Sequence, residues 1–236
     1  GSVRLQSADA LGERSAAFGE GGGAGNVIGG LGRGWHGRFR GQHGLDRRIR
    51  ALDLHGEFGD LGGDAIASLT VRERARRFAY LPQGHAVHWP LPARDIVALG
   101  RYPHGATDPA RLSPKDVEAV HRAMQAVDVM QFSERRVTEL SGGERGRVAL
   151  ARVLAVEAPV ILADEPTASL DPRHQIDVMK NLRATADSGV LVIVVTHDLG
   201  LAARFSDHVL VLREGRLVSQ GAPMVALSEQ VMADVF

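Results

Sequence analysis

The sequence Leu140-Ser141-Gly142-Gly143-Glu144 is followed, a short distance along the chain, by Val160-Ile161-Leu162-Ala163-Asp164-Glu165. The first stretch predicts a Ser-Gly-Gly turn that opens a helix. The second predicts an apolar strand that ends in two carboxylates. Phosphate chemistry explains this order, because N–H groups at a helix start bind anions and strand-end carboxylates hold a cation.

Composition narrows the class of protein. A length of 236 residues suits one large α/β domain, or a domain with a small insert. The 28 basic and 28 acidic residues cancel, so no global field draws the chain to nucleic acid, and none is expected as a partner. Cysteine is absent, which excludes disulfides and thiolate metal sites and favours a reducing compartment. No apolar run approaches the roughly 18 residues of a membrane span and no signal peptide is visible, so any membrane role is expected through a partner.

From residue 64 onward, strands and helices alternate. Residues 160–163 and 190–195 are continuous apolar runs, which indicate parallel strands covered on both faces. Residues 209–219 predict a terminal hairpin. Helices are expected after four start signals: Thr70, Ser113, Gly143 and Pro172. The helix after Ser113 is expected to bury one face: Val117, Val120, Met124 and Val127. This alternation predicts an α/β fold with a parallel sheet and helices on both faces.

Asp164 and Glu165 are the candidate reactive carboxylates. Open α/β sheets bind ligands at the carboxyl ends of their strands. There Asp164 can hold Mg²⁺, usually through water, and Glu165 can polarise a water for attack on a terminal phosphate. The alternative is a pair of solvated turn carboxylates. It is weakened by Ser169-Leu170-Asp171 just beyond them and by His197 at the end of the next apolar strand.

Two further stretches are candidate ligand contacts. Ser141, Gly142 and Gly143 would place a hydroxyl and unpaired N–H groups at a helix N-terminus, which is a ready anion site. The alternative is an ordinary capping turn. Gln83, in Tyr80-Leu81-Pro82-Gln83, precedes the helical segment at about residues 90–140. A lone Gln after Pro would otherwise be an ordinary loop residue.

Together these motifs resemble the signature motif, the Walker B strand and the Q-loop of ATP-binding-cassette (ABC) ATPases. The resemblance covers about residues 64–236. It implies an ABC-type P-loop NTPase fold, with a parallel sheet core and a helical subdomain at about residues 90–140. It also implies ATP and Mg²⁺ as ligands, a homodimer of ATPase subunits, and transmembrane permease subunits as partners. The expected location is then peripheral, on the cytoplasmic face of the membrane.

The resemblance assigns roles to the candidate residues. Asp171 falls in the D-loop, and His197 is the H-loop histidine that contacts the γ-phosphate. Gln83 would sense Mg²⁺ and the attacking water and pass motion to a membrane subunit. The signature residues, Ser141, Gly142 and Gly143, would face the γ-phosphate held by the other subunit, so that ATP is sandwiched between two chains.

Residues just before and within the helical segment bear on which molecule is transported. Gly100-Arg101-Tyr102-Pro103-His104 resembles a segment of ATPases that serve iron-siderophore, haem and vitamin B12 importers. The alternative is a helix that simply ends at Gly and Pro. His85 and His88 are close enough to suggest a metal, but no third ligand is near them in sequence, so structural or contact histidines are expected.

Residues 1–63 depart from the family pattern. They contain eighteen of the 28 glycines, and no Gly-x-x-x-x-Gly-Lys-Ser/Thr loop occurs anywhere in the sequence. The first lysine is Lys115, and no Ser or Thr lies between Ser15 and Ser68. We therefore expect a poorly ordered or irregular segment in which the P-loop part of the fold is missing or replaced.

Nothing else in this segment supplies the missing loop. The aromatic residue that stacks on adenine cannot be placed, with Phe18 and Trp35 candidates only by proximity. The glycine-rich residues 21–26 could form a backbone nest, which alone is a weak phosphate site. Either a different reading frame of a GC-rich gene or genuine divergence explains the segment.

The sequence therefore predicts the ATP-binding, ATP-hydrolysing subunit of an ABC importer for an iron complex, siderophore or haem, or a related chelate. Without the P-loop Lys and Ser/Thr, this chain is expected to be impaired in ATP binding. The alternative is a non-hydrolysing, ABC-like interaction or regulatory subunit. A DNA-repair or condensin-type ABC ATPase is disfavoured, because no long heptad coiled coil interrupts the motifs.

Overall fold

The computed structural model describes residues 26–31, 49–50, 60–61, 64–84, 89–168, 170–214 and 216–235. These residues form two compact units. One contains residues 71–195, and the other combines the described parts of 1–70 with residues 196–236. None of the described helices has both the length and the apolar character needed to cross a bilayer.

The regular elements follow the alternation expected from the sequence. The strands are β1 (Asn26–Leu31), β2 (Ile49–Arg50), β3 (Asp60–Leu61), β4 (Asp64–Ala65), β5 (Phe78–Leu81), β6 (Val160–Asp164), β7 (Leu191–Thr196), β8 (His208–Arg213) and β9 (Arg216–Gly221). The α-helices are α1 (Val71–Arg77), α2 (Ala93–Ala98), α3 (Pro114–Ala126), α4 (Gly142–Leu154), α5 (Pro172–Asp187), α6 (Leu199–Phe205), α7 (Pro223–Ala226) and α8 (Glu229–Val235). Short 3₁₀ helices lie at Ile66–Ser68, Leu99–His104, Pro109–Arg111, Met130–Phe132 and Val137–Glu139.

Three parallel strands organise the unit of residues 71–195. β6 pairs with β5 on one side and with β7 on the other, so that Ala163 lies beside both Leu81 and Val194. Val160, Ile161 and Ala163 are buried, because helices cover this sheet as the continuous apolar runs predicted. The predictions of an α/β fold and of parallel strands at these two runs are confirmed. The carboxyl ends of β5, β6 and β7 meet at one edge.

Helix starts were predicted well, but one buried face was not. The Ser113 hydroxyl accepts a hydrogen bond from the Asp116 N–H and caps α3, with Pro114 in the first turn. Val120, Met124 and Val127 are buried as predicted, whereas Val117 is 52% exposed and that prediction was wrong. The buried stripe of α3 also contains Ala119 and Ala123. These small residues move its centre away from Val117, which lies at the edge of the stripe in the first turn.

The second unit contains an antiparallel sheet in the order β1, β8, β9. β8 and β9 form the predicted hairpin, with a register shift between Val211 and Leu212. β1 pairs with β8 from Asn26, opposite Leu212, to Gly30, opposite His208. A small apolar core comprises Ala202, Val209, Val211, Ala226 and Val235.

Part of the glycine-rich segment is therefore a paired strand, since β1 lies within residues 1–63. β2, β3 and β4 form a separate three-stranded antiparallel sheet. The following residues singled out from the sequence lie outside the described part: Phe18, residues 21–25, Trp35, His85, His88 and Ser169.

Candidate functional site

Two carboxylates stand where β6 ends. Asp164 is the last residue of the strand, and the Glu165 N–H donates to the Val195 carbonyl oxygen of β7 at 2.9 Å. Glu165 has a φ of 42°, in the left-handed region that non-glycine residues seldom adopt. Such backbone strain concentrates at functional sites, where the surrounding structure holds it in place.

Side chains from the end of β5 hold both carboxylates. The Gln83 Nε2 donates to Glu165 Oε2 at 2.6 Å, and the Tyr80 hydroxyl donates to Asp164 Oδ2 at 3.2 Å. The two strands are parallel neighbours in register, so side chains at their carboxyl ends converge. The structure thus brings Gln83, Asp164 and Glu165 together. Tyr80 was not singled out from the sequence, because only the pairing of β5 with β6 brings it to Asp164.

The electrostatics of this cluster suit a bound cation. The pKa of Asp164 is raised mainly by burial and further by the charge of Glu165, while the Tyr80 hydrogen bond acts in the opposite direction. A divalent cation would offset this concentration of negative charge. Mg²⁺ takes oxygen ligands and commonly uses only one or two carboxylates, with waters completing its shell. In the described part of the chain no three His, Asp or Glu side chains are grouped as metal ligands. Asp164 can hold Mg²⁺ of this largely hydrated kind, and Gln83, the other predicted metal ligand, is bonded to the neighbouring Glu165.

Tyr80 offers a direct test of the cluster. Partial burial, the charge of Asp164 and the hydrogen bond to it raise the pKa of Tyr80 to about 12. The chain contains two tyrosines, so in a Tyr102→Phe protein the tyrosinate absorbance reports Tyr80 alone. We expect a titration midpoint near pH 12, read by stopped-flow pH jumps before the chain unfolds. Asp164→Asn should move it towards 10.0, the ordinary value of tyrosine.

The sign of the associated stability change follows from linkage. Because the folded-state pKa of Tyr80 lies above that of the unfolded chain, its contribution is present below pH 10 and is lost as the pH rises towards 12. A midpoint near 10 in the folded Tyr102→Phe protein would contradict the hydrogen bond to Asp164.

The start of α4 is closed by a capping box. The Ser141 hydroxyl accepts from the Glu144 N–H at 3.3 Å, and Glu144 Oε2 accepts from the Ser141 N–H at 2.7 Å. These bonds lower the pKa of Glu144. The N–H groups of Gly142 and Gly143, in the first turn, have no acceptor within the helix by its geometry. The turn can therefore bind an anion through its backbone, while the Ser141 hydroxyl is engaged in the cap.

Asp171 is also a helix cap. Its Oδ1 accepts from the N–H groups of Arg173 and His174, each at 3.1 Å, at the start of α5. Its Oδ2 pairs with His174 Nδ1. Both carboxylate oxygens of Asp171, which was predicted to contact ligand, therefore bond groups of the chain itself. His174 also lies against Gly143, so the structure connects the Asp171 turn to the start of α4. His174 was not singled out from the sequence.

His197 belongs to the other unit and is exposed. It follows the end of β7 and precedes Asp198, whose side chain caps α6 by accepting from the Leu201 N–H at 2.9 Å. The Asp198 N–H in turn donates to the Thr196 hydroxyl at 3.0 Å. This short bonded turn fixes the backbone on both sides of the predicted histidine.

The segment Leu99–His104 is held by an ion cluster around a buried arginine. Arg101 is 1% exposed; it donates to Asp116 at 2.8 Å, to the Ala155 carbonyl at 2.7 Å and to Glu157 at 2.9 Å. His104 Nε2 donates to the Val156 carbonyl at 2.8 Å. Tyr102, between these two anchors, is 65% exposed. The sequence pattern drew attention to this segment but did not indicate that its arginine is buried.

Comparisons with known proteins agree with this architecture. The family model described as ABC transporter matches residues 54–168. The chain is 43% identical to the hemin import ATP-binding protein HmuV of Rhodococcus jostii, over 78% of this chain and 62% of that protein. It is also 43% identical to the cobalamin import ATP-binding protein BtuD of Halobacterium salinarum, over 75% of this chain and 44% of that one.

Solved structures show the same likeness. A metal-chelate type ABC transporter in an inward-facing conformation superposes with a TM-score of 0.62 and 27% identity, over 68% of this chain and 63% of the other. The ATP-binding cassette MJ0796, a dimer bound to ADP and Pi, gives a TM-score of 0.57 and 26% identity, over 68% and 70%.

The chain spans about three fifths (62%) of the length of the Rhodococcus protein. For the hemin import ATP-binding protein HmuV of Pseudomonas fluorescens, the 43% identity extends over 75% of this chain and 69% of the relative. Identity of this level over more than two thirds of a relative, together with the strand-end carboxylates and the capped glycine turn, shows that the chain belongs to the family of ABC transporter ATP-binding proteins.

Proposed function

We propose that this chain is the ATP-binding subunit of an ABC importer for a metal chelate of the hemin or cobalamin class. The observation that carries the proposal is the hydrogen bond between Gln83 and Glu165 beside Asp164, because it joins the Q-loop and Walker B residues in one cluster. The names of the relatives, hemin import and cobalamin import ATP-binding proteins, support the choice of cargo.

The residues have distinct parts in this proposal. Asp164 holds a hydrated Mg²⁺, which supplies charge neutralisation at the phosphates when bound. Glu165, oriented by Gln83, polarises the attacking water and accepts its proton. The first turn of α4 contacts the terminal phosphate of nucleotide held by a second copy of the chain. The dimeric state of MJ0796 supports this arrangement. For His197, the role of γ-phosphate contact is proposed from the family resemblance alone.

Residues 1–63 set a limit on that activity. Since no P-loop sequence is present, we propose that the chain binds ATP weakly, and that residues 64–236 are the ABC domain remainder with a helical subdomain at about 90–140. The described regular elements between Ala93 and Glu139 are all helical, which supports this division. A non-hydrolysing regulatory subunit remains the second candidate, favoured by the absent P-loop lysine.

Binding to a membrane permease tests the importer role, and with it a peripheral location on the cytoplasmic face. Trp89 and Tyr102 are 58% and 65% exposed and lie within residues 84–104, which follow Gln83. When the tagged chain is purified from detergent-solubilised membranes of its own cells, we expect a protein with several membrane-spanning helices to be retained. Trp89→Glu and Tyr102→Glu should lower its recovery about tenfold or more, as for loss of an aromatic anchor worth about 2 kcal/mol.

Val117→Glu is the matched control. Val117 is an exposed apolar residue of the same unit, 52% exposed, but it lies outside residues 84–104. This variant should keep the permease. The importer role would be contradicted if every retained protein lacked membrane-spanning helices. It would also be contradicted if all three variants lost the permease equally.

A further inference from the structure

The two glycines in the first turn of α4 have different surroundings. A Cβ built on Gly142 would meet nothing within 4 Å. A Cβ built on Gly143 would lie 2.8 Å from Cδ2 and 2.9 Å from Nε2 of His174, closer than carbon atoms approach without one of them moving. The absence of a side chain at position 143 is therefore what allows the His174 ring to lie against this turn.

The opposite edge of the same ring is held by Asp171. His174 Nδ1 bonds Asp171 Oδ2, while Asp171 Oδ1 accepts the N–H groups that begin α5. The hydrogen bond from His174 is the largest influence that lowers the pKa of Asp171. With one edge of the imidazole bonded and the other packed on Gly143, the orientation of the ring is set by both turns.

We propose that His174 is a positioning residue that holds the first turn of α4 against the Asp171 turn. The proposal rests on the proposed function, in which the α4 turn contacts phosphate through the backbone of Gly142 and Gly143. His174 then fixes the direction in which those N–H groups point and joins them to the start of α5. Glycine is needed at 143 for this packing, in addition to any need for close approach by phosphate.

Two substitutions at position 174 test the contacts of the two ring edges separately. In His174→Asn, the side-chain amide can replace Nδ1 as the donor to Asp171, and its second terminal atom stands near the place of Cδ2, but the variant lacks the Nε2 that also packs on Gly143. His174→Ala removes both contacts. The asparagine variant should therefore keep the Asp171 turn intact and weaken only the contact with the α4 turn.

The first experiment measures urea unfolding midpoints of the whole chain. In the otherwise unchanged protein, Gly143→Ala should have a lower midpoint than Gly142→Ala, because only the methyl at 143 meets the ring. With His174→Ala also present, the two alanine variants at positions 142 and 143 should have equal midpoints. The proposal is overturned if the difference between them is the same with and without His174.

The second experiment detects positioning itself. The imidazole ¹⁵N signal of His174, assigned by its loss in His174→Asn, should shift in Gly143→Ala and stay unchanged in Gly142→Ala. Amide hydrogen exchange at Glu144 and Arg145, whose N–H groups are bonded to Ser141 in the first turn of α4, should quicken at least severalfold in His174→Ala and less in His174→Asn. In the first turn of α5 it should quicken in His174→Ala and be restored by His174→Asn.

Unchanged exchange at Glu144 and Arg145 in both position-174 variants would show that His174 only caps α5, and would overturn the proposal. All of these measurements are made without nucleotide. A chain that proves unable to bind or hydrolyse ATP would therefore defeat the proposed function and leave the test of His174 intact.

Discussion

Calorimetric titration of this chain with MgATP is expected to show binding about a hundred- to ten-thousandfold weaker than that of the Rhodococcus jostii relative. The reason is the absence of a P-loop lysine and hydroxyl before Gln83, since Lys115 is the first lysine in the chain. Each missing charge-assisted contact is worth about 1.5–3 kcal/mol, so the two together weaken binding by about 3–6 kcal/mol. In the proposed arrangement the α4 turn cannot compensate, because it acts on nucleotide held by the other copy.

The titration should be accompanied by a phosphate-release assay on the same preparation. Turnover is expected to be negligible for this chain and readily measured for the relative, which serves as the control. Micromolar binding with steady turnover would show that another loop replaces the P-loop, and would favour the active ATPase over the regulatory subunit. Weak binding by a chain that still retains a permease would favour the regulatory subunit.

The strands and helix starts could be predicted because their signals are local. Residues 160–163 and 190–195 are apolar throughout, as buried parallel strands require. Ser113 and Pro114 specify a helix start through their own chemistry, and the structure has it there. The wrong assignment of Val117 has a simple cause. Counting only large apolar residues ignored Ala119 and Ala123, whose small side chains are buried with the stripe of α3.

Contacts between distant parts of the chain could not be read from local patterns. The spacing of motifs predicted Gln83, Asp164 and Glu165 as site residues, and strand pairing explains why they meet. Tyr80 needed that pairing to be identified, because a tyrosine in a strand is ordinarily a packing residue. His174 needed the approach of α5 to α4, which no sequence period encodes.

The pairing of β1, which lies in a glycine-rich segment, also could not be predicted from the local sequence pattern. Its sequence, Asn-Val-Ile-Gly-Gly-Leu, has little alternation and two adjacent glycines, both of which weaken a strand. Its partner β8, with Val209 and Val211 fully buried, supplies the apolar side chains and the paired backbone groups. A neighbouring strand can thus outweigh weak local propensity.

Arg101→Ala is expected to lower the free energy of unfolding by about 3 kcal/mol, because it removes the buried member of an ion cluster. Arg101 is 1% exposed and bonds two carboxylates and one carbonyl. Its removal leaves Asp116 and Glu157 with fewer partners and a cavity where the arginine stem packed. The cost falls at the lower end of the range for such pairs, because Asp116 also bonds Ser113 and Glu157 also bonds Arg122.

Arg122→Ala is the matched control, since it breaks an ion pair with the same Glu157. The Arg122 side chain is 55% exposed, so its loss should destabilise the chain far less than the loss of Arg101. Arg101→Lys should fall between the two, because lysine keeps the charge but cannot bond three acceptors in one plane. Urea unfolding followed by circular dichroism at neutral pH measures all three variants. Equal destabilisation by Arg101→Ala and Arg122→Ala would show that the cluster contributes no more than a surface ion pair, and Arg101→Lys gives the ranking if the alanine variant fails to fold.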